Sequence, residues 1–238
     1  MRASVLAVVL GVACSDASGG SGPEGPVVVE LFTSQGCSSC PPADRLLATL
    51  ANDTLVAPLS FHIDYWNDLG WVDPYSQAAW TERQHRYARA LGDTRVYTPE
   101  LVVGGTVAMV GSNASQVRSA LDHAPHPALL AATARWLDHR VEVTATAPAD
   151  ADVVIAIWET ERSVKVASGE NAGATLSNAR IVRRLERVAA AGTRATITLP
   201  LDPAWRDIGA VAFAQRPDLR IVASAMLSKP RRAVADRL

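Results

Sequence analysis

The segment Gly36-Cys37-Ser38-Ser39-Cys40-Pro41-Pro42 restricts the fold of this chain more than any other stretch. Ahead of it runs Val27-Val28-Val29-Glu30-Leu31-Phe32, which is β-branched, preceded by Pro26 and too short for a helix. That run reads as a buried strand. Behind it, Ala43, Leu46, Leu47 and Leu50 share one face at helical spacing. The Cys-x-x-Cys thus lies at a strand-to-helix turn. Pro41 and Pro42 fall in the first helical turn, where N–H groups lack intrahelical partners anyway. Residues three apart on a helix lie about 5–6 Å apart, inside the roughly 4.4–6.8 Å Cα separation of a disulfide. The positive end of the helix dipole lowers the pKa of a thiol placed there. Cys37 comes first at the helix entrance, so it is expected to be the more exposed, attacking thiolate, with Cys40 as the resolving thiol. Glu30 is a carboxylate in an apolar run, and burying it without a partner is costly. It is expected to be buried, to have a raised pKa, and to take a proton from the pair's buried thiol through water. The plainer alternative is a wetted strand face.

Downstream, 55–63 reads as a second strand. It leads into the loop Asp64-Tyr65-Trp66-Asn67-Asp68-Leu69-Gly70-Trp71. Asp64, Trp66 and Trp71 are candidates to line a substrate cleft, against the plainer reading of tryptophan as core. Residues 74–91 read as a helix, with Ala78, Ala79, Ala88 and Leu91 inward and Glu82, Arg83, Arg86 and Arg89 wetted. Gly92 stops it. Two apolar runs within 98–110 flank Gly104-Gly105, a hairpin signal. Ser112 or Asn113 then caps a helix reaching Leu121. The order is β-α-β-α-β-β-α, and a hairpin cannot join parallel strands, so the sheet must be mixed.

With Glu30, Cys37 and Cys40 in place, the chain resembles the thioredoxin superfamily. Within it, the periplasmic thiol oxidases carry a Glu in the same strand, with one residue fewer before the first Cys. More closely, it resembles the exported thioredoxin-like family DUF1223. The matching stretches are Glu30-Leu31-Phe32-Thr33-Ser34-Gln35-Gly36-Cys37, Phe61-His62-Ile63-Asp64-Tyr65-Trp66 and Tyr97-Thr98-Pro99. The resemblance implies an α/β thioredoxin-like fold, export and a redox pair, but no substrate. It also implies a cis bond at Pro99, which would bring the Thr98 backbone toward Cys37 as a substrate-binding edge.

The chain has 238 residues, of which 20% are charged, with net charge −1. No basic excess points to nucleic acid. Residues 1–14 read as a signal peptide, with Arg2 as the basic flank and an apolar run over 5–12 too short for the about twenty residues of a membrane span. Ala13-Cys14 followed by a Ser/Gly/Pro-rich tether (15–26) resembles a lipoprotein signal, with Cys14 as the lipidation site; an ordinary secretory signal is the alternative. A domain of 27–124 would hold the dithiol. Ala124-Pro125-His126-Pro127 reads as a linker, and 128–238 as a β-rich, sandwich-like domain. Its six strands are expected at 140–147, 153–158, 181–188, 193–199, 208–215 and 219–227. No catalytic constellation is legible there. Asn171-Ala172-Gly173 reads as a turn, and Arg183, Arg184, Glu186 and Arg187 as a solvated face.

The favoured reading is a thiol–disulfide oxidoreductase of the cell envelope, acting on exported protein thiols or small thiols. It needs no cofactor, and its only membrane contact is a lipid anchor. Two alternatives stand beside it: a non-catalytic binding protein with a structural disulfide, and a copper-binding protein in which His62 approaches the cysteines. No metal is assigned, because zinc takes four ligands and no second Cys pair exists. His123 and His126 straddle the proline linker; His85 and His139 read as surface residues.

Overall fold

In a computed structural model the described residues are 23–229. The expected signal peptide, Cys14 and most of the tether lie outside them. The first half follows the expected order: β1 (Val27–Thr33), α1 (Pro41–Leu50), β2 (Val56–His62), α2 (Ala78–Leu91), β3 (Glu100–Val103), β4 (Val107–Val110) and α3 (Ala114–His123). β1 runs parallel to β2 and antiparallel to β3, and β3 and β4 form the hairpin around Gly104-Gly105. The Asn113 side chain accepts from the Gln116 N–H and caps α3.

Strand β1 is buried on both faces, which explains its unbroken apolar run. Val27, Val29 and Leu31 pack against Ala43 and Leu47 of α1 and Val117 of α3. Val28 and Phe32 pack on the opposite face with Trp80 and Tyr87 of α2.

The second half contains β5 (Ala128–Leu129), β6 (Ala132–Trp136), β7 (Arg140–Thr146), β8 (Asp152–Lys165), β9 (Thr175–Ala189), β10 (Arg194–Pro200), β11 (Ile208–Gln215) and β12 (Ile221–Met226). The main sheet does not end at 124–127. It has nine strands in the order β4-β3-β1-β2-β9-β8-β11-β12-β5, joined across the halves where Ser60 of β2 pairs with Ile181 of β9. A three-stranded antiparallel sheet, β10-β7-β6, covers the second half. Val141, Val143 and Leu199 from this small sheet pack against Ile155, Ile157, Ala210 and Ala212 of the large one. The expected two-layer β packing is therefore present, but one layer is the continuation of the first half's sheet.

Two strands run longer than expected. Beyond Trp158, β8 continues as Glu159-Thr160-Glu161-Arg162-Ser163-Val164-Lys165 and pairs with residues 175–181 of β9. This polar extension packs on few neighbours, so it lacks the apolar alternation that marks a strand in sequence. It carries the hairpin loop 166–174 to the dithiol end of the sheet.

Helix α2 begins at Ala78, later than expected, and its inward face is Trp80, Arg83, Gln84, Tyr87 and Ala88. Ala78 and Ala79 are exposed. Arg83, expected in water, is buried because Glu30 supplies its counter-charge. Arg83 donates from Nε to Glu30 Oε2 at 2.5 Å and from Nη2 to Glu30 Oε1 at 2.8 Å. The Tyr87 hydroxyl donates to Glu30 Oε1, and Gln215 on β11 donates to that hydroxyl at 2.9 Å. The network fastens β1, α2 and the second half together. Removing one member of a buried ion pair strands the other charge, at roughly 3–5 kcal/mol. Chemical denaturation of Arg83→Ala is expected to show a loss of about that size, whereas Glu30→Leu/Arg83→Leu loses less than either single change. A double variant as damaged as the sum of the singles would contradict this.

Candidate dithiol site

The turn between β1 and α1 carries the Cys37–Cys40 disulfide, with Cα atoms 5.4 Å apart. Cys40 stands at the N-cap of α1, and Pro41 and Pro42 occupy its first turn as the sequence requires. The Thr98–Pro99 bond is cis. The Thr98 carbonyl lies 3.9 Å from Cys37 Sγ. Cys37 is not the exposed partner: its residue exposure is 1% and that of Cys40 is 0%. Position at the helix entrance does not expose Cys37, because other parts of the chain lie over the turn.

Three segments cover it. From the 64–73 loop, Trp66 donates from Nε1 to Thr98 Oγ1 at 2.8 Å, and Trp71 donates from Nε1 to Gln35 Oε1 at 3.3 Å. A Cβ on Gly36 would meet Trp66 Cβ at 3.2 Å, so the glycine allows this approach. Asp73 accepts from the Gln35 N–H at 2.8 Å. From the second half, Asn171 Nδ2 donates to the carbonyls of Gln35 and Cys37, both at 2.9 Å. Glu170 accepts from the Ser38 N–H at 3.0 Å, which holds its carboxyl below the usual range. Gln35 Nε2 donates to Asn178 of β9 at 2.9 Å.

Beneath the turn, on the α1 face, lies a buried polar cluster. Asp44 is one helical turn after Cys40, on the same side of α1, and Thr33 donates to its Oδ1 at 2.9 Å. Burial pushes the Asp44 pKa up to about 6, partly offset by His62 and Thr33. His62 Nδ1 is 2.7 Å from Asp73 Oδ2, and both side chains are fully buried. Burial pushes the His62 pKa down, but Asp73, with Asp44, more than offsets this and holds it above the ordinary value. Burial likewise raises Asp73, and its contact with His62 outweighs this and holds it below the ordinary value. His62 Nε2 has no hydrogen-bond partner among the described residues.

The sequence-based site is therefore partly regrouped. Cys37, Cys40, Thr98, Pro99, Trp66 and Trp71 come together. Asp64 does not join them: its carboxylate accepts from Thr81 on α2. Glu30 is buried at 1% exposure, but it points to the α2 face, away from α1, and is given over to Arg83 and Tyr87. Strand alternation decides this, because Val29, Leu31 and Thr33 take the α1 side. Asp44, one helical turn beyond Cys40, is the buried carboxylate on the α1 side instead. Its signal was readable, since it falls inside the apolar arc of Ala43 and Leu47. Asn171, Glu170 and Asn178 carried no local signal. Among the described residues, no group of three or more His, Cys, Asp or Glu side chains is arranged to hold a metal.

The fold and turn define an α/β protein whose dithiol segment is completed by side chains from its own second half. The chain belongs to the family described as "Protein of unknown function (DUF1223)", which matches residues 28–215. A crystal structure of an Agrobacterium tumefaciens protein, from a structural genomics programme, is similar at 30% identity. It covers 87% of this chain and 96% of that one, with a TM-score of 0.68. HBP35 of Porphyromonas gingivalis is similar in fold at 14% identity, covering 90% of this chain and 79% of that one, with a TM-score of 0.60. No curated protein matches the chain.

The Asp44 pKa has a consequence for stability. The folded state binds this proton more tightly than the unfolded chain. Ionised Asp44 therefore weakens the fold above about pH 6, while the protonated form, below about pH 4, does not. Asp44→Asn keeps an acceptor for Thr33 and removes the charge. Its unfolding free energy, measured against wild type, should be higher by ~2–3 kcal/mol at about pH 7.5 than at about pH 4, so the variant is the relatively more stable chain at neutral pH. Equal differences at both pH values would show that Asp44 is not destabilised by burial.

Proposed function

We propose that the chain is a thiol–disulfide oxidoreductase of thioredoxin-like type, with Cys37 as the attacking and Cys40 as the resolving thiol. The observation that supports this best is the position of Cys37 Sγ against the Thr98 carbonyl, in the turn that leads into the N-terminus of α1. In the reduced protein, the Cys37 thiolate attacks a substrate disulfide and expels one substrate thiolate. Cys40 gives its proton to Asp44 and attacks Cys37 Sγ, which expels the second thiolate and forms the Cys37–Cys40 disulfide. Two electrons pass to the substrate, the expelled thiolates take protons from solvent, and the reverse sequence oxidises two thiols. His62, held by Asp73, keeps positive charge beside Asp44 when that group is ionised. The partners are exported protein thiols or small thiols. Arg2, the apolar run over 5–12 and the Ala13-Cys14 junction support export and a lipid anchor. Mass spectrometry of the protein from its native envelope should find an acylated Cys14 as the first residue, and an N-terminus downstream of Cys14 would contradict the anchor.

One observation favours the second reading, a binding protein with a structural disulfide: both cysteines are buried. Alkylation of Cys37 against pH in Cys40→Ser separates the two. The redox reading expects a midpoint below the free thiol's value of about 8.5 and loss of dithiol-dependent disulfide reduction in Cys37→Ser. A midpoint at or above that value, with equal reduction by wild type and variant, would leave only the structural disulfide.

A further inference from the structure

The loop 166–174 belongs to the second half of the chain, yet its polar contacts go to the first. Asn171 holds two carbonyls of the dithiol turn and Glu170 holds its Ser38 N–H. Ser168 Oγ donates to the Gly70 carbonyl. Gly169, at φ 77°, lies flat on the 64–73 loop, where a Cβ would meet Trp71 Cβ at 3.1 Å. Cys37 is buried, with Asn171 of this loop on its carbonyl and Trp66 against the preceding Gly36, although the adjacent Ser38 and Ser39 are exposed. The loop itself is mostly exposed at its tip, and a few side-chain hydrogen bonds hold it down. Such a segment opens at low free energy without unfolding the sheet beneath it.

We propose that loop 166–174 is a cap that sets the substrate class of the dithiol, admitting low-molecular-weight disulfides and thiols and excluding disulfides held in proteins. The proposal rests on the redox reading of Cys37 and Cys40. Attack needs the Cys37 sulfur in line with the bond it breaks. A small disulfide reaches that position with side-chain movement of Asn171 or Trp66. A protein disulfide carries chain on both sides of each sulfur, so the whole loop must leave. With a small disulfide the step balances as for the general reaction: one dithiol becomes the Cys37–Cys40 disulfide and the substrate leaves as two thiols. Asn171, Gly169 and Glu170 are positioning residues of the cap and take no part in the bond changes.

The test compares the reduced protein's second-order rates with hydroxyethyl disulfide and with insulin. Wild type should react with the small disulfide and far more slowly with insulin. Asn171→Ala removes two hydrogen bonds of the closed cap, which should raise the open population, and with it the insulin-to-small rate ratio, roughly tenfold to thirtyfold. Gly169→Val, which cannot lie on Trp71, should move the ratio the same way. Thermal melting of each variant reports that the fold is kept. A ratio unchanged in both folded variants overturns the cap, as does wild type reacting with insulin as fast as with the small disulfide. If wild type reacts with neither faster than Cys37→Ser does, the redox reading itself falls and the cap's selective role falls with it. Labelling of reduced Cys37 distinguishes these failures, because a closed cap slows fluorescein maleimide more than iodoacetamide whether or not the dithiol is catalytic.

Discussion

A buried turn must find partners for its backbone groups, and segment 34–40 finds few within itself. Cys37 donates to the Ser34 carbonyl, Gly36 to Ser34 Oγ, and Cys40 to the Cys37 carbonyl. The Gln35 and Ser38 N–H groups and the Gln35 and Cys37 carbonyls are satisfied by Asp73, Glu170 and Asn171. The Ser38 N–H lies at the surface; each of the buried groups left unpaired would cost about 1–3 kcal/mol. The dithiol loop is thus held in shape by the 64–73 loop and by the β8–β9 hairpin. The continuity of the large sheet through β2 and β9 follows as a requirement, since it delivers that hairpin to the correct end.

The same arrangement divides the buried charges between two jobs. Glu30 and Arg83 lie on the α2 face and join β1 to α2 and to Gln215 of β11. Their geometry is bidentate and further satisfied by Tyr87, which marks a fixed structural pair. Asp44, His62 and Asp73 lie on the α1 face under the disulfide. There the groups are close enough to shift one another, and His62 Nε2 has no hydrogen-bond partner among the described residues. A buried cluster of mutually shifted groups is a feature common at functional sites, and structural ion-pair networks show it too.

Most of the first half was legible in the sequence because its signals are local. Apolar periodicity gives β1, α1 and β2, Gly104-Gly105 gives the hairpin, and Asn113 gives the cap of α3. Long-range pairing was not legible. Arg83 looks like a surface residue until Glu30 is known to face it from the next layer. Asn171 sits in a sequence that reads as an ordinary turn, and its role depends on a polar strand extension that pattern alone does not reveal. The linker reading of 124–127 follows correctly from its prolines, but prolines say nothing of whether a sheet continues around them. Exposure of Cys37 was misjudged for the same reason, since the turn is covered by the 64–73 loop and by Asn171, more than a hundred positions downstream.

The reduction potential of the Cys37–Cys40 couple tests the central claim most directly. Equilibration of the folded protein with defined thiol–disulfide buffers, followed by trapping and mass measurement of the oxidised fraction, gives it without assuming a substrate. Cys40 is buried one helical turn from Asp44, whose pKa burial raises, and Cys37 lies just ahead of a helix N-terminus, which favours a thiolate. A redox-active Cys37–Cys40 pair should have an intermediate potential, between about −270 and −120 mV, as for dithiols that exchange electrons in cells. A potential below about −300 mV, the range of structural disulfides, would contradict it and leave the pair as a staple for the turn.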